Sequence, residues 1–137
     1  MREVQVSDLY QVHGTQQSPI ELLTRETFKI QDKLSGSGYC EPAYEGHLEE
    51  NEEHYSFVLA GPTFPKLTFR DTEAVLRSIH FHAPSEHRIN GNDFDAEFHL
   101  VHNIVSKELA KNTTAQEPSQ HVVVSAMAQI STSPPAD

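Results

Sequence analysis

The sequence predicts a mainly β protein, in which one antiparallel or mixed sheet with little helix forms a single domain over residues 1–137. Two alternating segments carry this prediction, residues 80–82 (His-Phe-His) and residues 97–99 (Glu-Phe-His). Successive side chains of a strand point to opposite faces of a sheet, so alternation of this kind indicates strands. Residues 122–130 add an apolar, β-branched run that is typical of a buried strand.

The remaining elements follow from similar local patterns. Short apolar runs predict strands over residues 54–59 and 66–70, and the two arms of a central hairpin over residues 75–84 and 93–105. Residues 20–30 fit either a short strand or a helix. Polar, glycine-rich or proline-containing stretches predict an irregular arm at residues 1–15, a flexible loop at residues 35–38, a long loop at residues 106–120 and a loose tail at residues 131–137.

The turn of the central hairpin is predicted at Asn90-Gly91, because both central residues of such a turn need positive φ. Counting outward from this turn pairs Ile89 with Asn92. The same register predicts His82 opposite His99 and His80 opposite Val101. Since cross-strand partners point to the same face, three imidazoles are expected to converge there.

Three convergent imidazoles with an open fourth position are typical of a catalytic zinc site, so His80, His82 and His99 are predicted to bind one Zn²⁺. An all-histidine set favours zinc over calcium or magnesium, which prefer oxygen ligands. Copper, iron and nickel remain open. Neutral ligands leave the ion its full charge, which lowers the pKa of a bound water to about 7.

The two-residue periodicity of strands also places other side chains on the expected metal face. Ser78 and Glu97 lie two residues before ligands, and Glu97 is a candidate acceptor for the outer N–H of a ligand imidazole. Glu86 falls on the same face, nearer the turn. An apolar wall for a small substrate is expected from Val101, Val122 and Val124, although plain core packing explains these valines equally well.

Charge and composition exclude several classes of function. The net charge of −10 argues against nucleic acid or an anionic membrane as partner. No apolar run approaches the length of a membrane span, and the first residues have no signal-peptide core. The chain as given is therefore expected in the cytoplasm, or in the periplasm or outside the cell if a leader was removed. The single cysteine, Cys40, excludes an internal disulfide.

Three motifs of the sequence resemble those of the α-class carbonic anhydrases. Residues 79–87 (IHFHAPSEH) resemble the family's first zinc-ligand strand, in a form typical of bacterial members. Residues 96–102 (AEFHLVH) resemble its third-ligand strand, and residues 17–20 (QSPI) resemble a motif near its N-terminus. The three motifs come in the family's order and at its approximate spacing.

The resemblance implies reversible hydration of carbon dioxide to bicarbonate and a proton by zinc-bound hydroxide, with His80, His82 and His99 as ligands. Glu97 would orient His99, Ser78 would stand behind the first ligand, and Glu86 would orient a threonine beside the metal. Carbon dioxide would lie against Val101 and Val124. His54 lies near the family's proton-shuttle position, although an incidental surface histidine is an equally good reading.

Family members are much longer than this chain, and the segment that carries the matching threonine does not occur in it. Two alternative functions therefore stay open: a catalytically weak or inactive zinc-binding module, and a zinc hydrolase of small esters. A shortened sheet also leaves a strand edge and an apolar face without their usual cover. The chain is accordingly expected to form a homodimer, unless the loop at residues 106–120 folds over the gap.

Overall fold

The structure is a computed structural model that describes residues 17–41, 43–105 and 120–133. The predicted arm, most of the predicted long loop and the end of the tail lie outside the described residues. Nine strands and one 3₁₀ turn are found in the described part, which confirms the predicted fold class. The strands are β1 (Glu21–Leu22), β2 (Leu34–Ser37), β3 (Glu45–Glu50), β4 (Tyr55–Ala60), β5 (Lys66–Phe69), β6 (Thr72–His82), β7 (Arg88–Ile89), β8 (Ala96–Val105) and β9 (His121–Ala128); the 3₁₀ turn is Thr24–Glu26.

Strand β6 is the centre of a seven-stranded antiparallel sheet. Along one side it pairs with β8, which in turn pairs with β9. Along the other side its first half pairs with β5 and its second half with β4. Strand β2 lies outside β5, and β3 lies outside β4. The short strands β1 and β7 pair in parallel as a separate ribbon.

The predictions for the five longer apolar strands are confirmed to within a few residues, whereas the predicted loop at residues 35–38 is wrong. Residues 34–37 form β2, which pairs in register with β5 from Leu34↔Phe69 to Ser37↔Lys66. Here the neighbouring strand supplies the hydrogen bonds. This pairing outweighs the low strand propensity of the glycine and serine residues. The acidic strand β3 has no apolar alternation either, and it likewise depends on its partner β4.

The two faces of the sheet differ in chemistry. One face, called the histidine face below, carries His80, His82 and His99. A bulge between Leu76 and Ser78 separates the two halves of β6. The opposite face, called the apolar face, carries the buried aliphatic side chains of the described core: Leu59, Leu67, Ala74 and Leu76.

The apolar face also carries a hydrogen-bonded polar pair, buried His102 and the more exposed Tyr39, that the sequence analysis does not predict. His102 is fully buried, its Nδ1 donates to the carbonyl oxygen of Val122 (3.2 Å), and its Nε2 accepts from Tyr39 Oη at 2.6 Å. Burial lowers the pKa of His102 and raises the pKa of Tyr39. Both groups are therefore kept neutral, which is the form that this hydrogen-bond arrangement requires.

In the part of the chain that the structure describes, no helix has the length and apolar character needed to cross a membrane.

Candidate metal centre

Strands β6 and β8 bring the three predicted ligands together on the histidine face. The ring centroids of His80 and His82 are 5.0 Å apart, those of His80 and His99 are 5.1 Å apart, and those of His82 and His99 are 4.9 Å apart. The three rings thus form a nearly equilateral triangle. The predicted convergence of imidazoles is therefore present in the fold.

The register that led to this prediction differs from the structure by two residues. His80 lies opposite His99 and His82 opposite Glu97, so the expected pairs His82–His99 and His80–Val101 are wrong. The turn itself is as predicted: Ile89 pairs with Asn92, and φ is 49° at Asn90 and 78° at Gly91. A shift of two residues leaves every side chain on its predicted face, so the convergence survives the error.

The two surplus residues lie in the first arm of the hairpin. The backbone N–H of Ser85 donates to the carbonyl of Phe94, so three residues separate Ser85 from Ile89, whereas only one separates Asn92 from Phe94. The extra residues leave the ladder and turn two backbone amides toward Glu97. Its Oε2 accepts from Glu86 N at 2.8 Å and from His87 N at 2.7 Å.

Glu97 fixes the orientation of the third ligand. Its Oε1 lies 2.8 Å from His99 Nε2, and an ionised carboxylate can only accept, so His99 carries its proton on Nε2. The lone pair on Nδ1 is then free, and this atom lies 3.2 Å from His80 Nε2. Two nitrogens bound tetrahedrally to one zinc at about 2.0–2.1 Å lie about 3.3 Å apart. These two donor atoms therefore lie at a separation that fits a shared zinc ion.

Glu97 is ionised although it is fully buried. Burial by itself raises the pKa of this carboxyl, but the hydrogen bonds from the His87 backbone, His99, the His87 ring and Ser125 outweigh it and lower the pKa to about 2. The His87 ring donates from Nδ1 to Glu97 Oε1 at 2.5 Å, and its Nε2 accepts from Ser18 Oγ at 3.1 Å.

Ser18, His87 and Ser125 are site residues that the sequence analysis does not single out. Ser18 and His87 are 69 residues apart, and a long-range contact of this kind leaves no periodic signal in the sequence. Ser125 pairs with His99 across β8 and β9, and its position could have been found only with the correct register of β9.

His54 stands beside the first two ligands, just before β4. Its ring stacks on His80 with centroids 4.2 Å apart, and it meets His82 edge-on at 5.4 Å. Burial, and then the proximity of His54, His82 and His99 when charged, lower the pKa of His80 to about 4. His80 is therefore neutral at physiological pH, which is the form that binds a metal.

Glu86 reaches the histidine face from the surplus residues of the hairpin. Its Oε2 lies 3.6 Å from His82 Nε2 and 3.8 Å from His99 Nε2. Ser78 shares the face of His80 by register, but it makes no hydrogen bond to that ligand among the described residues. Among the described residues, no threonine hydroxyl is hydrogen-bonded to Glu86.

Of the three valines predicted to form an apolar wall, only Val101 lies on the histidine face. Val101 follows His99 by two residues on β8 and shares its face, whereas Val122 and Val124 pair with His102 and Leu100 on the apolar face. The expected pocket role of these two valines is therefore wrong. Val123 takes their place: it lines a cavity of about 290 Å³ that also touches Glu86, His99 and Ser125.

Three sets of possible metal ligands in the described residues have all their ligand atoms within 4.8 Å of one another. They are His54 with His80 and His82, His82 with Glu86 and His99, and His87 with Glu97 and His99. The first set is the one made only of imidazoles, and it contains His54 in place of His99. All three sets belong to one continuous group of side chains on the histidine face.

Comparison with known proteins decides the family. The model of the eukaryotic-type carbonic anhydrases matches residues 5–136. The chain belongs to this carbonic anhydrase family. The resemblance stated for the three sequence motifs is thereby confirmed.

Curated members of the carbonic anhydrase family are similar over most of the chain. Alpha carbonic anhydrase 6 of Arabidopsis thaliana is 34% identical over 93 residues, which cover 68% of this chain and 35% of the relative. Carbonic anhydrase 6 of Canis lupus familiaris is 30% identical over 129 residues, which cover 85% of this chain and 39% of the relative. The chain thus spans well under half the length of these relatives.

Solved structures of the family share the fold. Dioscorin complexed with ascorbate is 28% identical, with a TM-score of 0.63 over 86% of this chain and 44% of the other. The α-carbonic anhydrase of Photobacterium profundum is 23% identical, with a TM-score of 0.62 over 91% of this chain and 48% of the other. The sheet described above is therefore a recognisable part of the carbonic anhydrase fold.

Proposed function

We propose that this chain catalyses the reversible hydration of carbon dioxide to bicarbonate and a proton, with one zinc ion held by His80, His82 and His99. The observation that carries the proposal is the 3.2 Å approach of His99 Nδ1 to His80 Nε2, with Glu97 fixing the tautomer. Membership of the carbonic anhydrase family supports carbon dioxide as substrate. The net charge of −10 supports a small-molecule substrate rather than nucleic acid or an anionic membrane as partner.

The bound metal would supply a Lewis acid that makes water nucleophilic near neutral pH. The chain's own residues would do the rest. Glu97 orients the His99 ring and increases its basicity through the hydrogen bond to Nε2. Val101 and Val123 offer an apolar surface beside the ligands, against which carbon dioxide would lie. The Glu86 carboxylate stands near His82 and His99 and would accept a hydrogen bond from a reacting group.

The proposed reaction is tested by measuring carbon dioxide hydration in a stopped-flow instrument and the zinc content of the same sample. We expect turnover that rises in proportion to bound zinc. A sample that holds one zinc per chain without turnover would instead support the inactive zinc-binding module. Turnover of small esters in such a sample would favour the zinc hydrolase.

His54 is proposed to relay the proton from the site to solvent. Histidine side chains generally change charge near neutral pH, and this ring lies between the ligands and the exposed Asn51. We expect His54→Ala to slow hydration in dilute buffer by about 100-fold or more, because general acid–base catalysis typically contributes about 10²–10⁴-fold. Added imidazole should restore the rate. Equal rates of His54→Ala and the unmodified chain at low buffer would remove His54 from the reaction.

Self-association as a homodimer is proposed from the apolar face. Phe81 and Phe98 lie there with their rings 5.6 Å apart and are 49% and 41% exposed, and Leu48 is 71% exposed. Among the described strands, β9 has a partner only along its β8 side. A two-fold dimer through this face would cover both the apolar side chains and the strand edge.

Sedimentation at micromolar concentration tests the dimer. We expect the chain to sediment as a dimer and Leu48→Glu to shift it toward monomer, because a charge placed in the apolar contact would have to be desolvated. Leu48 lies on the opposite face of the sheet from the predicted ligands, so zinc binding serves as the control for folding. A stable monomer of the unmodified chain would mean that the apolar face does not mediate association.

A further inference from the structure

His54 stands where a metal ligand would stand, and not merely where a proton relay would. Its ring is stacked on His80 and lies edge-on to His82. The ligand atoms of these three residues all lie within 4.8 Å of one another. Imidazoles so arranged suit ions such as Zn²⁺ or Cu²⁺, which prefer nitrogen ligands.

The turn before β4 holds the His54 ring in place. Asn51 Oδ1 accepts the backbone N–H groups of Glu53 and His54, both at 2.9 Å. The other end of the Asn51 amide is therefore its NH₂ group, which lies 3.1 Å from His54 Nε2 and donates to it. The second ring nitrogen, Nδ1, is buried and has no hydrogen-bond partner among the described residues. A buried polar atom without a partner is costly, and a metal ion would satisfy it.

We propose that His54, His80 and His82 form a second position for a divalent transition-metal ion, overlapping the His80–His82–His99 site. The inference rests on the proposed zinc site, because the two positions share two ligands. Each shared imidazole can bind only one ion, so the positions exclude each other and the chain holds one ion in either place. An ion held by His54 would also engage the side chain proposed to relay protons.

The two positions differ in the hydrogen-bond partner of the histidine that they do not share, His99 in one and His54 in the other. His99 donates from its outer nitrogen to the Glu97 carboxylate, whereas His54 faces the amide NH₂ of Asn51. Binding a metal through Nδ1 moves the proton of His54 to Nε2, where Asn51 cannot accept it. The His99 position is therefore favoured in the unmodified chain, and the His54 position is occupied when His99 is lost. An aspartate at position 51 would accept that proton and strengthen the second position.

Zinc titration of a His99→Ala variant tests the inference. We expect this variant to bind one zinc more weakly than the unmodified chain, and His54→Ala/His99→Ala to bind none. Asn51→Asp/His99→Ala should bind zinc about 10–100-fold more tightly than His99→Ala, the usual effect of a supporting carboxylate. His47→Ala/His99→Ala is the matched control, because His47 is an exposed histidine on β3 that pairs with Glu49. It should equal His99→Ala.

A folded His99→Ala variant that binds no zinc, or one whose zinc affinity is unchanged by His54→Ala, would overturn the second position. Zinc binding by the unmodified chain is measured separately. If the unmodified chain binds no zinc, the proposed function is overturned instead. If His99→Ala does not fold, cadmium-113 NMR of Asn51→Asp replaces it. A second cadmium resonance, lost in Asn51→Asp/His54→Ala, is expected; one unshifted resonance in both variants would contradict the inference.

Discussion

His82→Ala is expected to abolish zinc binding and to reduce carbon dioxide hydration to the rate of the buffer alone. His82 belongs to both proposed metal positions, His80–His82–His99 and His54–His80–His82, so its loss leaves two histidines at most in either position. Two imidazoles without a third ligand do not make the coordination that catalytic zinc sites use. The measurement is zinc content after dialysis together with stopped-flow hydration.

His47→Ala is the control for this prediction, because it removes an exposed histidine that lies outside the ligand sets. It should retain full zinc content and full turnover. If His82→Ala kept a stoichiometric zinc ion, the ligands would have to be other residues, and the assignment of the metal centre would fail.

Glu97→Gln is expected to weaken zinc binding about 10–100-fold, the usual cost of losing a hydrogen-bond partner behind a metal ligand. The carboxylate accepts hydrogen bonds from His99, from the His87 ring and from two backbone amides. A glutamine places an NH₂ group where donors point, either the His87 and His99 rings or the two backbone amides, so the hydrogen bonds that hold this side chain against His99 can no longer all form. Competition with a fluorescent chelator measures the change in affinity.

Glu49→Gln is the matched control, since Glu49 also accepts from a histidine, His47 Nε2 at 2.8 Å, but at the exposed end of β3. Its zinc affinity should equal that of the unmodified chain. A Glu97→Gln variant that is folded and holds zinc equally tightly would mean that the Glu97–His99 hydrogen bond does not support the metal site.

The convergence of the three imidazoles could be predicted from the sequence because it depends on a local turn and on strand parity. Asn90-Gly91 determines the turn, and the two-residue period then determines which side chains share a face. The exact partners could not be predicted, because Glu86 and His87 leave the ladder to bond Glu97. Whether Glu86 and His87 leave the ladder depends on the buried carboxylate of Glu97 across the hairpin. The residues of the first arm alone do not reveal it.

The apolar wall was harder to predict, because an unbroken run of valines has no period of two. The residues from Val122 to Val124 read as a buried strand, and only the pairing His99↔Ser125 determines which of them lies on the histidine face. Strand β2 could not be predicted for a related reason, since its glycine and serine residues form a strand only through β5. In both cases a neighbouring strand supplies the information that the local sequence lacks.

X-ray absorption at the zinc edge, on the unmodified chain loaded with one equivalent of zinc, tests the central claim most directly. We predict one tightly held ion with three imidazole nitrogens at about 2.0–2.1 Å. Failure to retain zinc, or binding of the ion by sulfur or by carboxylates in place of the imidazoles, would contradict this assignment.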